Sequence, residues 1–166
     1  MSRAFVKEGA PEVPVVIPPR PPLPAGVPNY VTPAGLAALR AEKASLERRR
    51  AALDAEDPDA SRERELLTGL LRQVVERIAR SREVDPSTLD RSDIRFGATV
   101  TVRDASDEER TIQIVGVDEA AASDDAVAFT SPYARALTGA SAGDTVRLQT
   151  PSGETELTIL SVRYGA

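Results

Sequence analysis

The chain of 166 residues contains no cysteine and no histidine. Without thiols there can be no disulfide scaffold, no thiolate nucleophile and no cysteine zinc site. Without imidazole, a histidine-dependent triad and the usual histidine-ligated metal centres are excluded as well. Aromatic residues make up only 4% and tryptophan is absent, which argues against a stacking platform for single-stranded nucleic acid. No apolar run approaches the roughly 18 residues that a membrane span needs. The first ten residues, Met1 to Ala10, lack the continuous apolar core of a signal peptide. What remains for chemistry is carboxylates, Lys and Arg, hydroxyls and backbone, a set that suits a cytoplasmic binding protein better than an enzyme.

Three regions differ in composition. Residues 1–30 hold eight of the 13 prolines. Proline lacks an N–H and restricts its predecessor, so an extended arm is expected, either a solubilising leader or a strap docking on a partner or on the chain's own second domain. Residues 31–84 are rich in Ala, Leu, Arg and Glu. Thr32 followed by Pro33 reads as an N-cap and first helical residue. Leu36, Leu39, Leu46 and Leu53 then follow a heptad whose other seam positions are Lys43 and Arg50. The pattern breaks over Asp54 to Asp59 and resumes with Leu67, Leu70, Leu71, Val74, Val75 and Ile78, with a second capping region at Ser61 to Glu65. This predicts an antiparallel helical hairpin, a coiled coil over 31–84.

Beyond it the period changes from 3.6 to 2. Val100 and Val102, Ile112 and Ile114, and Leu157 and Ile159 alternate with polar neighbours, and turn residues at 104–107, 143–144 and 151–153 separate the runs. Ser131, Pro132 and Gly139 mark the ends of one short helix over 132–137. The expected fold is α+β: a helical hairpin followed, over 85–166, by an antiparallel β domain with one short helix. No internal repeat is visible. The net charge of −5 divides as +1 over 1–30, +1 over 31–84 and −7 over 85–166, so the β domain would be repelled by a phosphate backbone.

The strongest chemical candidate is the loop carrying Asp54, Glu56, Asp57 and Asp59. Hard carboxylate oxygens at a hairpin tip could serve a Mg²⁺ held mainly by something else, and equally they suit a solvated turn with helix-capping acids. Arg48, Arg49 and Arg50 spread over three helix faces and form no flat patch. No glycine pattern supports nucleotide binding. Ser131 has no neighbouring base to make it a nucleophile.

Several stretches, in order, resemble one known family. They are Phe96-Gly97-Ala98-Thr99-Val100, Ile114-Val115-Gly116-Val117-Asp118-Glu119, Ser131-Pro132-Tyr133-Ala134-Arg135-Ala136-Leu137, Gly143-Asp144, Thr150-Pro151-Ser152-Gly153-Glu154 and Val162-Arg163-Tyr164. Together they are similar to the C-terminal domain of the GreA/GreB transcription elongation factors. Met1 to Glu8, and Pro28 to Pro33 leading into Leu36, resemble a Pro-tailed subgroup with a short coiled coil.

The resemblance implies an FKBP-like C-terminal domain and a monomeric cytoplasmic factor. Its partner would be bacterial RNA polymerase, with only indirect contact to nucleic acid in the elongation complex. The β domain would grip the mouth of the secondary channel through Asp118, Glu119, Ser131, Pro132, Tyr133, Ala134, Arg135 and Leu137. The tip carboxylates Asp54, Glu56, Asp57 and Asp59 would reach the active site, where Glu56 and Asp59 could share a Mg²⁺ with the polymerase during cleavage of backtracked transcripts. The chain would have no cofactor of its own and would be no enzyme itself. Prolyl isomerase activity is not implied, because the domain offers only Phe96, Phe129, Tyr133 and Tyr164 to line a pocket. Cleavage-competent members carry Asp and Glu three residues apart, followed by Asn. Here Asp57 meets Ala60 at that spacing, and Glu56 meets Asp59 without the Asn. Thr130 also stands where the family often has an acidic residue. A competitor that occupies the channel without cleaving, and a generic protein-interaction module, are the alternatives.

Overall fold

A computed structural model describes residues 13–165. The opening stretch Met1 to Glu8, part of the resemblance above, lies outside the described residues. Helix α1 (Pro33–Ala51) begins where expected, with the Thr32 hydroxyl accepting the Gly35 N–H at 3.0 Å. Helix α2 (Ser61–Ala79) returns antiparallel to it. Leu36, Leu39 and Leu46 of α1 meet Leu67, Leu71 and Val74 of α2 in a closed apolar seam, with Leu53, Leu70 and Ile78 packed at its margins. The other seam positions stay wet. Lys43 pairs with Glu47 at 2.7 Å, Arg50 is exposed, and Val75, expected in the stripe, is 45% exposed. The capping region expected at Ser61 is also absent: Ala60 takes the cap position with no side-chain bond, and Ser61 is already helical.

Two short strands, β1 (Asn29–Val31) and β2 (Ser81–Glu83), flank the hairpin and pair with each other in parallel. Asn29, fully buried, ties them to α2 by donating to the Arg77 carbonyl at 3.2 Å and the Ser81 hydroxyl at 3.3 Å.

The C-terminal domain is a five-stranded sheet of β3 (Thr99–Asp104), β4 (Glu109–Val115), β5 (Ala126–Ala128), β6 (Thr145–Thr150) and β7 (Gly153–Arg163), in the order β5-β4-β3-β7-β6. Its alternating residues Val100, Val102, Ile112, Ile114, Leu157 and Ile159 all face one core with Ile94, Ala134 and Leu137. The turn at Pro151–Gly153 needs a residue at positive φ, and Gly153 supplies it at 125°. The sheet is mixed, which corrects the all-antiparallel expectation. β5 runs parallel to β4 because a second short helix, α3 (Val117–Ala120), carries the chain across between them. The expected short helix is α4 (Pro132–Leu137), with Ser131 accepting the Ala134 N–H at 3.1 Å.

Candidate functional site

The acidic loop occupies the far end of the hairpin, and Asp54, Glu56, Asp57 and Asp59 are all exposed. Two of the four serve the loop itself. Asp54 accepts the Glu56 N–H and Asp57 accepts the Asp59 N–H, each at 2.9 Å, in consecutive Asx turns. Arg64 of α2 donates to the Asp54 carbonyl and Arg49 pairs with Glu63 at 3.4 Å, fastening the loop to both helices. Among the described residues the carboxylates of Glu56 and Asp59 hold no such bond. Among the described residues no three acidic side chains converge on a metal position. The tip therefore does not fit a metal site of its own, and any Mg²⁺ there would need most of its oxygens from a partner.

The expected docking segment separates into two sets. Ser131, Pro132 and Arg135 reach the surface, and Tyr133 is half-buried with its hydroxyl pKa raised, chiefly by burial. Ala134 and Leu137 are 0% exposed and belong to the β-domain core. They are corrected from contact residues to the anchors of α4, since on so short a helix the inward positions must be apolar to hold it down.

Asp118 and Glu119 also need correction, because α3 turns them towards the hairpin. Asp118 binds Arg20 of the arm at 3.0 Å through one oxygen and lies 3.1 Å from Arg77 Nε of α2 through the other. Its side chain is 13% exposed. Glu119 accepts the backbone N–H of Thr32 at 3.2 Å and of Gly116 at 3.3 Å, and its other oxygen takes the Thr32 hydroxyl. Both acids belong to the joint between hairpin and β domain. The joint has an apolar part as well: Tyr30, Phe96 and Phe129 form a mutual cluster with centroids 5.5 to 5.8 Å apart.

The described part of the arm runs parallel to α2. Ile17 packs on Gly69, whose missing side chain makes the room. Gln73 donates to the Pro18 carbonyl at 3.2 Å, and Arg77 donates to the Pro21 carbonyl. At Pro18 and Pro21 the arm's backbone can only accept, and α2 supplies the donors. Further on, Pro21, Pro22 and Pro24 line a hollow with Val117, Ala128, Thr130 and Ser131. The described arm lies mainly along α2 of the hairpin, and reaches the second domain at Asp118 and beside Val117 and Ala128. No described helix is long and apolar enough to cross a membrane.

Sequence comparison matches residues 89–164 to the family described as "Transcription elongation factor, GreA/GreB, C-term". A transcription elongation factor GreA of Acidiphilium cryptum is 41% identical over 108 residues, which span 64% of this chain and 69% of that one. Another GreA, of Hyphomonas neptunium, is 36% identical over 112 residues, 67% and 71% of the two chains. The chain belongs to the GreA/GreB family. Among solved structures, a GreA/GreB factor of Nitrosomonas europaea aligns over 81% of this chain and 98% of its own, at 20% identity and a TM-score of 0.40. The GreA factor homolog 1 of Thermus thermophilus aligns over 82% and 99%, at 21% identity and a TM-score of 0.38. In this GreA/GreB chain the residues missed by sequence reasoning are those of the joint: Arg20, Glu42, Arg77 and the Thr32–Glu119 pair. The one sequence signal at Arg20 is a cation set between Pro18-Pro19 and Pro21-Pro22.

Proposed function

We propose that the chain is a transcription elongation regulator that docks on bacterial RNA polymerase at the secondary channel and directs its acidic loop inward. The observation that carries this reading is the exposure of all four tip acids at the far end of two 19-residue helices, each about 28 Å long at about 1.5 Å per residue. A like-charged cluster is tolerated there because solvent surrounds it. The surface edge Ser131, Pro132 and Arg135 would meet the channel mouth. Glu56 and Asp59, uncommitted within the loop, are the carboxylates available to a Mg²⁺ held by the polymerase, and transcript cleavage would then be the polymerase's own reaction.

A second reading, a channel competitor that does not cleave, is favoured by the commitment of Asp54 and Asp57 to their own loop. Stalled, backtracked complexes separate the two. Mg²⁺-dependent release of a 3′ fragment, lost in the Glu56→Gln/Asp59→Asn variant, supports cleavage; protection against an authentic cleavage factor supports competition. Failure of core polymerase to retain the chain, with Pro132→Arg behaving no differently, would refute the docking.

A further inference from the structure

Four charged side chains from four separate segments meet at the joint. Arg20, on the arm, sends both terminal nitrogens to the two oxygens of Glu42 on α1, at 2.9 Å each. Its Nε donates to Asp118 on α3 at 3.0 Å, and the second Asp118 oxygen faces Arg77 on α2. The group is neutral in sum and largely sealed: the side chains of Arg20, Asp118 and Arg77 are 16%, 13% and 12% exposed. Only a guanidinium can do this, because its planar fork serves one carboxylate in two bonds while its third edge serves another. The hydrogen bond to Glu42 is also the first cause raising the Arg20 pKa. The prolines on either side, at 19 and 21, hold the backbone extended before it docks, which lowers the entropy lost on docking. The hollow beneath is bounded by Pro19, Ala38, Leu39, Gln73 and Ala122, so the arm roofs the angle between hairpin and β domain.

We propose that Arg20 is a positioning residue that clamps α1 to α3 and so sets the direction in which the hairpin carries its acidic loop. The β1–β2 pair, the Tyr30 cluster, the Arg77–Asp118 contact and the Thr32–Glu119 bonds also hold the hairpin to the β domain; to these Arg20 adds the link that joins Glu42 of α1 to Asp118 of α3. That the loop is the working end rests on the function proposed above; the clamp itself rests on these contacts alone.

The natural chain has no cysteine, so spin labels at Ala52→Cys, beside the tip, and Ala142→Cys, in the β domain, report the joint in the full-length protein. Pulsed dipolar spectroscopy is expected to give one narrow distance distribution. Arg20→Gln and Glu42→Gln should each broaden it while circular dichroism stays unchanged. The double variant should be no broader than Arg20→Gln, and Arg20→Lys, which keeps the charge but loses the fork, should fall between. If Arg20→Gln lost helicity, Arg20→Lys and Glu42→Gln would give the same reading. Distributions that coincide with that of the unsubstituted protein would overturn the clamp. Retention by core polymerase, measured on the same samples, tests docking separately: a chain that is not retained but broadens on Arg20→Gln refutes the proposed partner and leaves the clamp standing.

Discussion

Replacing Glu119 with alanine should cost more stability than its half-exposed position suggests. One carboxylate receives three donors, the N–H groups of Thr32 and Gly116 and the Thr32 hydroxyl, and Thr32 is only 5% exposed. Hydrogen bonds to a charged group contribute about 1.5–3 kcal/mol each, and a donor left buried and unpaired costs about 1–3 kcal/mol. The three share one acceptor and are not additive, and water can reach Gly116 more easily than Thr32, so about 3 kcal/mol is expected for the set. At about 2–4 °C per kcal/mol for a chain of this size, the midpoint should fall by about 6–12 °C. Urea titration followed by circular dichroism measures the free energy, and a thermal melt the midpoint. Glu119→Gln keeps one carbonyl acceptor and should lose about half as much.

A coupled variant sharpens this prediction. A Cβ at Gly35 would overlap the Glu119 carboxylate, so Gly35→Ala alone should destabilise. With Glu119→Ala already in place the overlap is gone, and the same change should become neutral or stabilising, by up to about 1 kcal/mol of helix propensity. A Glu119→Ala loss under about 0.5 kcal/mol, or a Gly35→Ala effect of the same sign in both backgrounds, would refute this account of the joint.

Two further predictions concern the separate bodies. Leu67 is 0% exposed at the centre of the hairpin seam, so Leu67→Ala should cost about 2–5 kcal/mol in the same titration, while the β-domain core remains intact by NMR. Tyr164 donates to the Asp93 carbonyl at 2.7 Å and accepts the Arg95 N–H at 2.8 Å, and burial raises its pKa. The stability it contributes is therefore complete below the free tyrosine value of about 10 and is lost as pH rises through the raised folded value. Tyr164→Phe should weaken the domain at neutral pH by about 1–2 kcal/mol and flatten its alkaline decline, as read by denaturation between neutral and strongly alkaline pH.

Local signals carried the element starts. Thr32-Pro33 and Ser131-Pro132 pair a capping hydroxyl with a residue already fixed in helical φ, and both helices begin at the expected residue. The period-2 runs pointed to the β core for the same reason, since alternation leaves one face to bury. The parallel β4–β5 pair was not legible, because it depends on a four-residue helix too short to show a period. The inward place of Asp118 and Glu119, expected in the docking surface, is illegible for a related reason. Their partners lie 98 and 87 residues away in the chain, and no spacing rule reaches that far. Ala134 and Leu137 share a motif with surface residues, but their apolar character places them inward.

The arm's direction limits what the hairpin can enter. Contacts advance together, Ile17 beside Gly69, Pro18 beside Gln73 and Pro21 beside Arg77, so from Gly69 back to the β domain the projection is three chains thick. The described arm thus broadens the base of the hairpin alongside α2 from Gly69 to Arg77. Were the hairpin to enter a pore as proposed above, one narrower than this three-chain section would have to strip the arm away before the acids could travel further.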